Sequence, residues 1–133
     1  MNTYLFYANL LKEISGRFSN HKSLILSFCQ KKGFSPSQIK KTYSVILISY
    51  KNLSIFKEIL ENFNTVFPKV PIKNVWLFYI LLHEFFLAHS EEKKLKGGGY
   101  LIKLIKNHQE FFKKEIGKIQ TLSPKKHMIK ENV

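Results

Sequence analysis

Residues 75–85 read VWLFYILLHEF, and the first eight of them, VWLFYILL, are the greasiest run in the chain. The run is too short to cross a hydrocarbon core of about 30 Å, which takes roughly 20 apolar residues in a helix. It lacks the alternation of a half-buried strand. A helix that is apolar on every side lies inside a protein rather than on its surface. The stretch therefore reads as a central core helix over about 72–88, with Trp76 buried in it and His83 and Glu84 ending its greasiest part.

Outward from this helix, the chain is punctuated for short helices. On its N-terminal side, Tyr4, Leu5, Ala8, Leu11 and Ile14 make a first apolar stripe, stopped at Ser15-Gly16. Ser19 or Asn20 can cap a second helix carrying Leu24, Ile25, Phe28 and Cys29, with Gly33 at its C-terminal end. Ser35-Pro36 is a strong start, a capping residue followed by proline at the first helical position. That third helix carries Ile39, Tyr43, Ile46, Leu47 and Tyr50. Asn52 can cap a fourth, with Ile55, Phe56, Ile59, Leu60 and Phe63. NTVFPKVP, residues 64–71, reads as a loop, residues 89–99 as a polar loop ending in glycines, and 100–119 as a sixth helix. No Asn-Gly or Asp-Gly hairpin signal occurs. The expected fold is all-α: a single bundle of about six short helices over 1–119, followed by a basic tail or linker over 120–133.

A chain of 133 residues, 44% hydrophobic and with 12 phenylalanines, suits one domain with a sizeable core. One cysteine excludes a disulfide framework and points to a reducing compartment. Cys29 lies on an apolar face and reads as a small packed hydrophobe. The N-terminus has no basic region of the secretory kind. No His pair has the spacing of a metal site; His108 falls on an apolar stripe and reads as a hydrogen-bonded, partly buried residue. Glu91-Glu92 beside Lys93-Lys94 reads as a solvated loop. No nucleophile and base can be paired. The three glycines Gly97, Gly98 and Gly99 follow a charged loop instead of a strand, and no Lys-Ser/Thr follows them, so they form neither a dinucleotide loop nor a P-loop.

The charge is the strongest functional signal. The chain holds 22 Lys+Arg against 9 acidic residues, for a net charge of +13. Residues 93–133 carry 11 Lys and 3 Glu, a balance of +8, and residues 1–92 carry the remaining +5. Within KKLKGGGYLIKLIKNHQEFFKKEIGKI (93–119), at about 100° per residue, Leu101, Leu104, Ile105, His108, Phe112, Ile116 and Ile119 share one face. Lys103, Lys106, Lys113, Lys114 and Lys118 fall within a sector of about 140° on the other. One side of this helix faces a core and the other is almost purely cationic. A polyanion, and RNA in particular, is the partner such a face fits. The expected contact set is Lys94, Lys96, Lys103, Lys106, Lys113 and Lys114, with the backbone N–H groups around Gly97, Gly98, Gly99 and Tyr100. Tyr100 can either stack a base or pack the helix start onto the core, and packing is the commoner fate of such a residue. A second source of the same charge is compositional: 21 of the 22 cations are Lys, a bias that AT-rich codons also produce.

The order of elements resembles a known family. YSVILISYKNLSIFKEIL (43–60) is similar to its tyrosine-containing helix, Tyr-Lys turn and next helix. VWLFYILLHEF (75–85) is similar to its apolar Leu-Tyr-x-Leu-Leu helix, and KGGGYLIKLIKNHQEFFKKEI (96–116) to its glycine run, basic helix and His-Gln pair. NTYLFYANLLKEI (2–14) also fits. The family is the N-terminal domain of the Sun/Fmu-type RNA cytosine-5 methyltransferases, with the eukaryotic 25S/28S ribosomal RNA subgroup nearest. LAHSEEKK (87–94) departs from it, since the family is usually shorter and richer in Gly and Lys there. The resemblance implies an all-helical, NusB-like accessory domain. It also implies a nucleolar setting, large-subunit ribosomal RNA and the chain's own catalytic domain as partners, and an S-adenosylmethionine-dependent catalytic domain beyond this chain. Methyl transfer in that family uses two cysteines and acidic residues in a Rossmann-like site. This chain has one Cys and no Asp, so no cofactor, catalytic residue, metal or small-molecule substrate is expected in it, and no membrane. The competing expectation is a helical protein-docking module, for a catalytic domain or a ribosome-assembly factor, that the lysines merely solubilise.

Overall fold

The computed structural model describes residues 3–17, 20–87 and 99–122, and side chains as far as Lys118. Every regular element among the described residues is helical. Helix α1 is Thr3–Ser15, α2 is His21–Lys31, α3 is Pro36–Lys51, α4 is Leu53–Val66, and α5 is Val75–Leu82, which runs on into a π-helical turn, His83–Leu87. Helix α6 is Tyr100–Asn107 and α7 is Gln109–Leu122. The all-α expectation holds, with seven helices in place of six because the last one is broken at His108.

The helix boundaries follow local chemistry. Ser35 opens α3 with a reciprocal capping box: its Oγ accepts from the Gln38 N–H at 3.3 Å, and the Gln38 Oε1 accepts from the Ser35 N–H at 2.9 Å. Gly33 closes α2 in the left-handed region, φ 72°. There its N–H donates to the Gln30 carbonyl and the Phe34 N–H donates to the Cys29 carbonyl, the bond pattern of a Schellman cap. Asn74, with its side chain accepting from the Leu77 N–H at 3.1 Å, starts α5 three residues later than the apolar pattern suggests.

Two asparagines expected as caps do not serve as such, and Ser19, the alternative cap for α2, lies outside the described residues. Asn20 has φ 65° and makes no side-chain cap. Asn52 turns its amide back to the Ile48 carbonyl, 2.9 Å away; it is the single residue between α3 and α4 and serves the end of the first instead of the start of the second. The expected loop at 64–71 begins later, since α4 runs to Val66.

Helix α5 packs against α1, α3 and α4, and α4 in turn packs against α7. From Phe78 to His83 every residue of this central segment is buried. Trp76 is only half-buried, in the first turn, packed against the core and edge-on to Tyr79 at 5.6 Å, so the expectation of burial is met only in part. The core joins side chains from all seven helices. Ser49 of α3 is buried with a hydroxyl that makes no hydrogen bond.

Candidate nucleic-acid interface

The basic segment is anchored before it is charged. Leu101, Ile102, Leu104 and Ile105 of α6 and Phe112 and Ile116 of α7 are buried in the core. Phe112 stacks on Phe63 of α4 at 5.2 Å and touches Phe78 of α5 at 5.7 Å. Asn62 of α4 donates to the buried Glu115 carboxylate at 2.8 Å, and Lys118 pairs with the same carboxylate at 3.2 Å. These contacts fix which side of α7 faces the bundle.

His108 forms the joint. Its backbone, at φ −114° and ψ 29°, leaves the helical region. The ring lies edge-on to Phe63 and Phe67 at 5.2 and 4.6 Å. Its Nδ1 is 2.9 Å from the Leu104 carbonyl oxygen; a carbonyl can only accept, so that nitrogen carries the proton. The partly buried, hydrogen-bonded histidine expected from the sequence is present, and it explains why one pattern became two helices.

The break does not disturb the outer face. Lys103, Lys106, Asn107, Glu110, Lys113, Lys114, Gly117 and Lys118 are all exposed. They keep helical spacing on both sides of the joint, so each of the two helices carries a solvent-facing stripe. Lys103 and Lys106 on α6 and Lys113 and Lys114 on α7 are thus all solvent-facing. Gly99 caps α6 with no side chain to offer its first N–H groups. Tyr100, a residue 56% exposed, opens the helix with its hydroxyl donating to the Pro71 carbonyl at 2.9 Å. Lys94, Lys96, Gly97 and Gly98 lie outside the described residues.

Two features correct the picture of an almost purely cationic face. Glu110 sits inside the stripe, and Lys118 is partnered by Glu115. The position of Glu110 was legible, since it follows Lys103 by seven residues, two helical turns. The Pro71 anchor of Tyr100 had no sequence signal. Exposed lysines also stand on other elements, among them Lys12, Lys22, Lys40, Lys41 and Lys57, so the stripe is one concentration of charge within a generally basic surface.

The remaining candidates offer no chemistry. Cys29 is fully buried; burial pushes its thiol up, with Thr42 acting weakly the other way, the reverse of an activated nucleophile. Among the described residues no three His, Cys, Asp or Glu side chains converge as a metal site would require. No helix among them is long and apolar enough to cross a membrane. His83 is buried with its Nδ1 3.2 Å from the Glu84 carboxylate, a local pair in the π turn. Comparison with protein-family models, with curated proteins and with solved structures finds no match to this chain.

Proposed function

We propose that this chain is a non-catalytic RNA-binding domain, the N-terminal accessory part of an S-adenosylmethionine-dependent (cytosine-5) methyltransferase of large-subunit ribosomal RNA acting in the nucleolus. The observation that carries RNA binding is the exposed lysine stripe of α6 and α7, held in place by a buried opposite face. The parentage rests on the order of sequence elements over about residues 2–119. The cofactor belongs to the catalytic domain of that parent: this chain has no Asp and, among the described residues, no strand from which a cofactor loop could spring.

Lysines on a helix face contact phosphates, which position a nucleic acid without reading its sequence. Binding is therefore expected to be nearly independent of base sequence and strongly dependent on salt. If about four to six phosphates are neutralised, log K falls against log salt with a slope of roughly −3 to −4 for single strands. A slope near zero, or no binding near physiological salt, contradicts the reading. The second reading is the protein-docking module. Glu110 within the stripe and the lysines spread over the other helices favour it, and it is the one that absence of RNA binding would leave standing.

A further inference from the structure

We propose that Tyr100 is a stacking platform for an unpaired base, so that the stripe takes single-stranded RNA in preference to duplex. This inference rests on the RNA-binding reading above and narrows its ligand. Four large hydrophobic side chains are conspicuously exposed among the described residues, Leu5, Ile48, Val66 and Tyr100, and Tyr100 is the aromatic one. It stands at the head of the basic stripe, one helical turn before Lys103.

Its hydroxyl is spent on the Pro71 carbonyl, 29 residues away in sequence and 2.9 Å in space. That bond ties the hydroxyl to the segment between α4 and α5 while the residue as a whole stays 56% exposed. A tyrosine that merely packed a helix start would hide its ring. This one is held by its polar tip and is still among the most exposed large hydrophobic residues of the described chain. The cost of ordering the side chain is met before any ligand arrives, which is what preorganisation contributes to affinity.

The lysines alone do not distinguish one form of RNA from another, because both present phosphates. The ring does. Bases of a duplex are stacked on each other and leave no free face except at the ends, whereas unpaired bases stack on aromatic side chains whatever their identity. A phosphate track along Lys103, Lys106, Lys113 and Lys114 with a ring at its head is the combination that single-strand binders use.

The test is fluorescence anisotropy on the full chain with a labelled oligouridylate of roughly twelve nucleotides, a length typical of single-strand sites, and with a blunt RNA duplex of equal length. Wild type is expected to prefer the single strand. Tyr100→Ala is expected to lose at least about fivefold in affinity for it, the low end of a base-stacking contribution, with duplex affinity unchanged and the circular dichroism spectrum intact. Tyr100→Phe keeps the ring and is expected to retain most of the affinity. Equal wild-type affinity for the two forms overturns the stacking proposal and leaves RNA binding standing, as does an alanine variant that binds the single strand like wild type. A phenylalanine variant as weak as the alanine one overturns it too, by placing the effect in the Pro71 tether. Failure of the wild type to bind either RNA overturns the functional reading itself.

Discussion

Leu82 and Trp76 sit in the same apolar helix and have different fates. Leu82 is fully buried between packed helices, and Trp76 is half-buried at the helix start. An all-round apolar pattern predicts an interior helix but does not say which of its turns the neighbours cover, because coverage depends on the lengths and crossing points of other elements. Leu82→Ala should destabilise the fold by about 2–5 kcal/mol, the range for cavity-forming substitutions at well-packed sites. Chemical denaturation would measure it, and a loss under about 1 kcal/mol would mean that the centre of α5 is looser than its burial implies. The same limit applies at Asn20 and Asn52. Both are residue types that cap helices, and neither does so. Side-chain chemistry permits a cap; the backbone angles decide it, and these follow from how closely consecutive helices abut.

At the scale of the element, the pattern from Tyr100 onward separates buried from exposed positions, but taken as an almost purely cationic face on one helix it shows neither the acid within the exposed face nor the break. The buried and exposed positions keep helical spacing on both sides of His108, so periodicity alone carried no sign of a break. At the break the His108 ring lies against Phe63 and Phe67, contacts that are tertiary. Glu110 is the one acid within the stripe. That residue gives a direct handle on the stripe's role. Glu110→Lys should tighten binding to single-stranded RNA and steepen the salt slope by roughly 0.7 for one added phosphate contact. Salt titrations of the two proteins side by side would show it. An unchanged affinity and slope would mean that RNA, if bound, does not run along α6 and α7.

For the whole molecule, the helical class, six of the seven helices and most of the core could be read from punctuation and periodicity, because each helix carries its own start, stop and apolar stripe. The joint at His108 and the anchoring of Tyr100 could not, since each brings in residues far apart in the chain, and the π turn after Leu82 carries no local signal in the sequence. Burial also sets an expectation for pH. Desolvation raises the acid strengths' midpoints of Tyr4, Tyr7, Tyr79 and Cys29 above their ordinary values of 10.0 for phenols and 9.0 for the thiol. Each is neutral when protonated, so the stability it lends is complete below those ordinary values and is lost as pH climbs through the raised ones. Thermal unfolding should therefore be flat from near neutrality to about pH 8 on their account and shift to lower temperature toward about pH 11. A melting temperature that held or rose over the alkaline range would show that these groups ionise as freely in the folded chain as in the unfolded one.

The central claim is that the lysines of α6 and α7 form an RNA site instead of belonging to a diffuse basic surface. The most direct test compares two triple variants by anisotropy with the same single-stranded RNA: Lys103→Glu/Lys106→Glu/Lys113→Glu on the stripe, and Lys12→Glu/Lys22→Glu/Lys57→Glu on α1, α2 and α4. Both change the net charge equally and alter exposed side chains, so both should fold. The stripe variant is predicted to lose most of its RNA affinity and the control far less; equal losses in the two would contradict the site.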